Sequence, residues 1–148
     1  MDSIRLEGKE TQVMARILII DDEPQIRSML RLMLERDGYE VVEAPDGIEG
    51  IRAYRRKPAD LIITDLIMPN KDGIGMIIEL KKEFPEVKII AMSGGGLNKP
   101  EGYLKGAKKL GAACTLTKPI DREKMLTAVR NTIKDSISED EDTQSEPQ

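Results

Sequence analysis

Histidine is absent from the 148 residues of this chain. Its absence excludes serine or cysteine nucleophiles activated by imidazole, histidine-ligated zinc, and a phosphohistidine donor carried on the chain itself. Tryptophan is missing too, and with one phenylalanine and three tyrosines the core must be built from Ile, Leu, Val, Met and Ala. The single cysteine, Cys114, rules out an internal disulfide, and its setting in "AACTL" reads as a buried structural thiol. No apolar run approaches the roughly 18 residues of a membrane span. The start "MDSIRLEGKETQVM" is polar, with no apolar leader segment, which predicts a soluble, cytoplasmic protein.

Length and charge set the organisation. The chain suits one domain of ordinary size. The last fourteen residues, "DSISEDEDTQSEPQ", hold six acids and no base, so the net charge of −4 belongs to them, while residues 1–134 carry 23 bases against 21 acids. We read 1–14 as a poorly ordered extension, 15–134 as the domain and 135–148 as an acidic, disordered tail.

Between the ends, short apolar runs alternate with segments of helical period. Strands are expected at 16–20 ("RILII"), 40–44 ("EVVEA"), 61–65 ("LIITD"), 88–93 ("KIIAMS") and 113–117 ("ACTLT"). A helix-length segment follows each. The first is opened by Pro24 and places Ile26, Met29, Leu30 and Met33 on one stripe. The last has Asp121 as its cap. Strict alternation of this kind predicts an α/β domain, (βα)5 and doubly wound, with a five-stranded parallel sheet. Ligands bind such sheets at the carboxyl ends of the strands.

Those ends carry Asp21 and Asp22 after strand 1, Asp65 on strand 3, Ser93 on strand 4 and Lys118 after strand 5. Like charges about 4 Å apart repel by about 4 kcal/mol at an effective dielectric of 20. Three ionised aspartates sharing a rim therefore need a cation, and an all-oxygen donor set suits Mg²⁺. Taken alone, "DDE" would serve equally as a helix N-cap. Ser93 is followed by "GGG", which either brings backbone N–H groups to an anion or acts as a hinge.

The stretches "ILIIDDEP", "DLIITDLIMPNKDG", "AMSGGG" and "GAACTLTKPI", in this order and spacing, resemble the response-regulator receiver domain (CheY-like) family over about residues 15 to 134. The resemblance implies the flavodoxin-like strand order 2-1-3-4-5. It implies that Asp65 is the phosphoacceptor, that Asp21, Asp22 and the backbone carbonyl of Ile67 join Asp65 in holding Mg²⁺, and that Ser93 and Lys118 bind phosphoryl oxygens. It further implies a cis Lys118–Pro119 peptide and a phosphorylation-dependent switch. The expected partners are a sensor histidine kinase or histidine phosphotransfer protein upstream and a protein target downstream. No basic stripe or helix-turn-helix pattern points to direct DNA binding. Such a domain is regulatory, although it supports its own phosphorylation and dephosphorylation.

The chain departs from the family pattern at one position of consequence. Three residues before the lysine, where the family carries Tyr or Phe as a switch, stands Thr115. Tyr103 on helix 4, or an order–disorder change at Gly94, Gly95 and Gly96, would have to replace it. Lys71 occupies a position where a hydrophobic residue is usual, and Gly75 inside helix 3 is expected to cost about 1 kcal/mol against Ala. An aspartyl-phosphate hydrolase would need an acid where Ile67 stands. An FMN site would be repelled by "DDEPQ". The alternative that survives is a degenerate receiver that binds partners without phosphorylation.

Overall fold

The computed structural model describes the backbone of residues 14–68, 72–94 and 100–145, and side chains within 14–68, 72–94 and 105–134. The element order is β1 (Arg16–Ile20), α1 (Pro24–Arg36), β2 (Glu40–Ala44), α2 (Gly47–Arg56), β3 (Leu61–Asp65), α3 (Gly73–Glu83), β4 (Ile89–Ser93), α4 (Pro100–Lys109), β5 (Cys114–Thr117) and α5 (Arg122–Ser145). All strand pairs are parallel, in the order β2-β1-β3-β4-β5. The chain runs outward from β1 to β2, then returns to the other side of β1 as β3. The switch point, where a crevice must open, lies between β1 and β3.

The apolar runs are strands because both of their faces are covered. One face packs Leu18, Ile20, Ile62 and Ala91 against Ile51, Ile77 and Leu80 of α2 and α3. The other packs Ile17, Ile19, Ile63 and Ile90 against Leu30 and Leu34 of α1 and Met125 and Val129 of α5. Every residue of β3 and β4 is buried. Tyr54 meets the lone phenylalanine, Phe84, edge to face with ring centroids 4.9 Å apart.

Helix starts follow local chemistry. Asp46, Asp72 and Asp121 accept hydrogen bonds from the N–H groups of Glu49, Gly75 and Lys124 at 2.9, 2.8 and 3.0 Å. Helix α1 differs: Pro24 begins it, and its N-cap residue Glu23 makes no side-chain cap bond. The Glu23 side chain is thus not spent on capping, and the Asp21 carboxylate takes the N–H of Glu23 just ahead of the helix. Among the described residues no helix is long and apolar enough to cross a membrane.

Several expectations require correction. The inward stripe of α1 is Ile26, Leu30, Met33 and Leu34, whereas Met29 is 38% exposed. The offsets i, i+4, i+7 and i+8 face the sheet, and Met29 falls on the flank. Cys114 is only half-buried, because β5 is an edge strand. Gly75 lies in the first turn of α3, where its N–H meets the capping carboxylate and a Cβ would come within 3.2 Å of it. The penalty of an interior glycine therefore does not apply. Helix α5 runs from Arg122 to Ser145. No proline or glycine follows Asp121 until Pro147, so nothing in the chain stops propagation earlier.

Candidate functional site

The register of the sheet assembles the site. Ile20 pairs with Ala44 on one side and Thr64 on the other, so Asp21 and Asp65 leave adjacent strands at the same level. Asp65 pairs with Met92, and Ser93 pairs with Thr117, which carries the rim on to Lys118. One carboxylate oxygen from each of Asp21, Asp22 and Asp65 can be chosen so that all lie within 4.8 Å of one another. Asp21 and Asp65 are buried and Asp22 is exposed, so the cluster opens to solvent on one side.

Lys118 answers this charge. Its Nζ lies 3.0 Å from Asp21 Oδ2 and 3.1 Å from Asp65 Oδ2, with Glu23 Oε1 farther out at 3.5 Å. Its backbone N–H donates to the Ser93 carbonyl at 2.9 Å, which ties the lysine to the end of β4. The Lys118–Pro119 peptide is cis.

Burial pushes the Asp65 carboxyl above the ordinary carboxylate range; the Asp21 charge adds to this, and the pull of Lys118 does not cancel it. Burial pulls the Lys118 ammonium down, but the hydrogen bond to Asp21 and the charges of Asp65 and Asp21 outweigh it and leave the group raised. The buried charges are therefore two acids against one base. Such a site has room, electrostatically, for a further cation.

Asp21 is held on every side. Its N–H donates to the Ala44 carbonyl at 3.2 Å, its Oδ1 accepts from the Glu23 N–H at 2.9 Å, and its carbonyl accepts from Arg27 at 2.7 Å. Behind Asp65, the Leu66 N–H donates to Met92 and the Gly73 N–H to the Leu66 carbonyl. A Cβ on Gly73 would sit 2.5 Å from the Asp65 carbonyl oxygen and 2.6 Å from Leu66 Cα, both backbone atoms that cannot step aside. Gly73→Ala should therefore lower the stability of the fold by about 2 kcal/mol in urea titration.

Of the residues singled out from sequence, Asp21, Asp22, Asp65 and Lys118 come together. Ser93 is fully buried on the same rim, and among the described residues its hydroxyl makes a long contact of 3.5 Å to the Gly94 carbonyl. Ile67 enters through its N–H, 3.4 Å from Asp65 Oδ1. Thr115 is half-buried on β5 opposite Ala91, away from the carboxylates. The Tyr103 side chain, Lys71, Gly95 and Gly96 lie outside the described residues. Sequence reasoning passed over Gly73, although it ends "MPNKDG", and Arg27. A base near a helix N-terminus opposes the helix dipole and was the available signal for Arg27.

A flavodoxin-like parallel sheet that gathers an acid cluster and a lysine at its switch point has the architecture of a receiver-type signalling domain. The sequence pattern of the response regulator receiver domain matches residues 17–130, and the chain belongs to that family. It is 33% identical over 119 residues to chemotaxis protein CheY of Bacillus subtilis, covering 80% of this chain and 97% of that protein. It is 34% identical over 122 residues to the transcriptional regulatory protein GlrR of Escherichia coli K12, covering 82% of this chain but only 27% of GlrR. The structure of a response regulator receiver domain protein from Clostridium thermocellum superposes with a TM-score of 0.77 at 34% identity, covering 83% of this chain and 97% of that one. The chain is thus a receiver domain of two-component signalling, a regulatory class.

Proposed function

We propose that this receiver is a phosphorylation-dependent switch that accepts a phosphoryl group from a phosphohistidine onto Asp65, with Mg²⁺, and signals by protein contact. The observation that carries the reading is the Asp65 carboxylate itself: it ends a buried strand, lies within 4.8 Å of two other acids, and touches Lys118 at 3.1 Å. Asp21, Asp22 and Asp65 fit a hard cation, because three carboxylate oxygens with one solvent-facing member leave positions for water and phosphate. The Ile67 carbonyl is the family-based addition to that set. A bound Mg²⁺ would supply charge neutralisation at the phosphoryl oxygens.

The chain's own groups do the rest. A carboxylate oxygen of Asp65 attacks phosphorus in line. The P–N bond breaks, its electron pair stays on the departing imidazole nitrogen, which takes up a proton, and an acyl phosphate is left on Asp65. A loose phosphoryl transition state asks mainly for positioning and charge, and Lys118 supplies both from the rim. Afterwards Lys118 has phosphoryl oxygens to pair with in place of the Asp65 carboxylate. The Ser93 hydroxyl, 3.5 Å from the Gly94 carbonyl, can turn toward them. Movement of Ser93 and Lys118 together displaces the ends of β4 and β5, a population shift between two packings. With Thr115 on β5 there is no aromatic ring at that position to report the shift, so the readout falls to the α4–β5–α5 face by another route.

Beryllofluoride with Mg²⁺ mimics the phosphorylated state without chemistry. In ¹H–¹⁵N spectra it should shift the amides of Asp65, Ser93 and Lys118, extend along β5, and require Mg²⁺. Spectra unchanged by beryllofluoride and Mg²⁺ together would count against the reading.

A further inference from the structure

The acids of the site sit on the short β1–α1 turn, and the structure shows what holds that turn. Arg27 places its Nη1 2.7 Å from the Asp21 carbonyl and its Nε 3.1 Å from Glu43 Oε1 on β2. We propose that Arg27 is a positioning residue for the metal-binding acids: its guanidinium clamps the Asp21 peptide to the sheet edge and so fixes how Asp21 and Asp22 are presented. The inference rests on the Mg²⁺ reading of the site and deepens it.

Three features support the clamp. The Arg27 side chain is only 18% exposed, so its hydrogen bonds are little contested by water. Glu43 stays ionised: the Arg31 hydrogen bond, opposed by burial and reinforced by Arg27, holds its carboxyl below the ordinary range. Arg31 also pairs with Glu35, so Glu43 is anchored by two guanidinium groups at once. The geometry is specific to arginine. One planar fork spans a main-chain carbonyl and a carboxylate, whereas a lysine ammonium would serve one of them as a point charge.

The Asp21 main chain is tied on its N–H side as well. The Asp21 N–H donates to Ala44, the neighbour of Glu43, so both polar groups of the Asp21 main chain reach β2, one directly and one through Arg27. Removing Arg27 leaves the Asp21 carbonyl without this partner, while its N–H bond to Ala44 and its carboxylate contacts with Glu23 and Lys118 remain. Asp21 and Asp22, consecutive residues on the β1–α1 turn, then lose one restraint on their spacing to Asp65.

Groups that orient metal ligands from outside the first ring of contacts are worth 10- to 100-fold in metal affinity. For Arg27→Gln we expect a loss of about tenfold in Mg²⁺ affinity, measured by titrating the unphosphorylated protein and following the Asp22 and Asp65 amides. Arg27→Lys should lose less. Arg31→Gln breaks an ion pair to the same Glu43 without touching Asp21, and should bind Mg²⁺ as the wild type does even if its unfolding midpoint falls. Glu43→Gln keeps a hydrogen-bond acceptor for Arg27 and should weaken Mg²⁺ binding severalfold; it stands in for Arg27→Gln if that variant does not fold. Wild-type titration shifts with unchanged affinity in the folded Arg27 variant would overturn the clamp alone. Absence of Mg²⁺ shifts in the wild-type chain would overturn both the clamp and the metal reading.

Discussion

Asp65→Asn should be more stable than the wild type in the absence of Mg²⁺ at neutral pH, and yet unable to take up a phosphoryl group. The stability gain follows from burial: the Asp65 carboxyl is held above its ordinary range chiefly by desolvation, with Asp21 adding repulsion. An acid whose pKa is raised in the folded state binds its proton better there than in the unfolded chain, so its charged form opposes folding. The metal-free wild type should therefore lose stability as pH rises from about the ordinary value of 3.8 through the raised one. Asn removes that slope while still accepting the Lys118 hydrogen bond. Urea midpoints against pH, in EDTA, would show the two curves converging toward acid pH and separating toward neutrality. The functional half of the prediction is all or none, because the amide is no nucleophile toward phosphorus.

Lys118→Met should have the opposite effect on the fold. Asp21 has no exposed side-chain surface and Asp65 has 8%, and each would lose an ammonium contact of 3.0 or 3.1 Å. Stranding buried charge by deleting one partner typically costs 3–5 kcal/mol. With two acids sharing one lysine, a loss of about 3 kcal/mol at pH 7 is expected, or roughly 8 °C in Tm for a chain of this size. The pH dependence has a definite sign. A lysine whose pKa is raised on folding contributes fully below its ordinary value of 10.5, and the contribution is lost only as pH rises through the raised one. The wild-type advantage should thus persist through neutral pH and shrink in acid, where Asp65, with its raised pKa, protonates. Mg²⁺ should partly restore the variant and bind it more tightly than the wild type, since no ammonium competes for the same oxygens. Thermal melts in EDTA and in Mg²⁺ separate these effects.

The parts legible from sequence share one property: they were set by short-range pattern. Each strand was placed to within one residue because "RILII", "LIITD" and the first part of "KIIAMS" have to be covered on both faces. Asp21, Asp65 and Lys118 were legible because strand ends in a parallel sheet share one rim. What escaped depends on neighbours distant in sequence. Met29 and Leu34 are both compatible with an apolar stripe, and only the angle at which α1 meets β1 and β2 decides that Leu34 is buried and Met29 flanks. Cys114 looked interior because "AACTL" is apolar, but β5 closes the sheet at an edge. Arg27 could not be assigned to Asp21 because its other partner, Glu43, lies on β2.

Gly73 shows the same limit in another form. A glycine after "NKD" suggests a turn, yet its φ is not what requires it. The requirement is space, since the backbone of Asp65 and Leu66 passes where a side chain would begin. The strand that ends in Asp65 is therefore backed by the start of α3, and the Asp21 carbonyl accepts a hydrogen bond from Arg27 of α1.

Intact-mass analysis after incubation with acetyl phosphate and Mg²⁺ tests the central claim most directly. The account predicts a single phosphoryl adduct on the wild type that disappears in EDTA and in Asp65→Asn, while both proteins remain folded. An adduct that survives in Asp65→Asn, or its absence from the wild type with acetyl phosphate and with a phosphorylated histidine donor alike, would contradict it. The latter result would leave a receiver that binds its partners without phosphorylation.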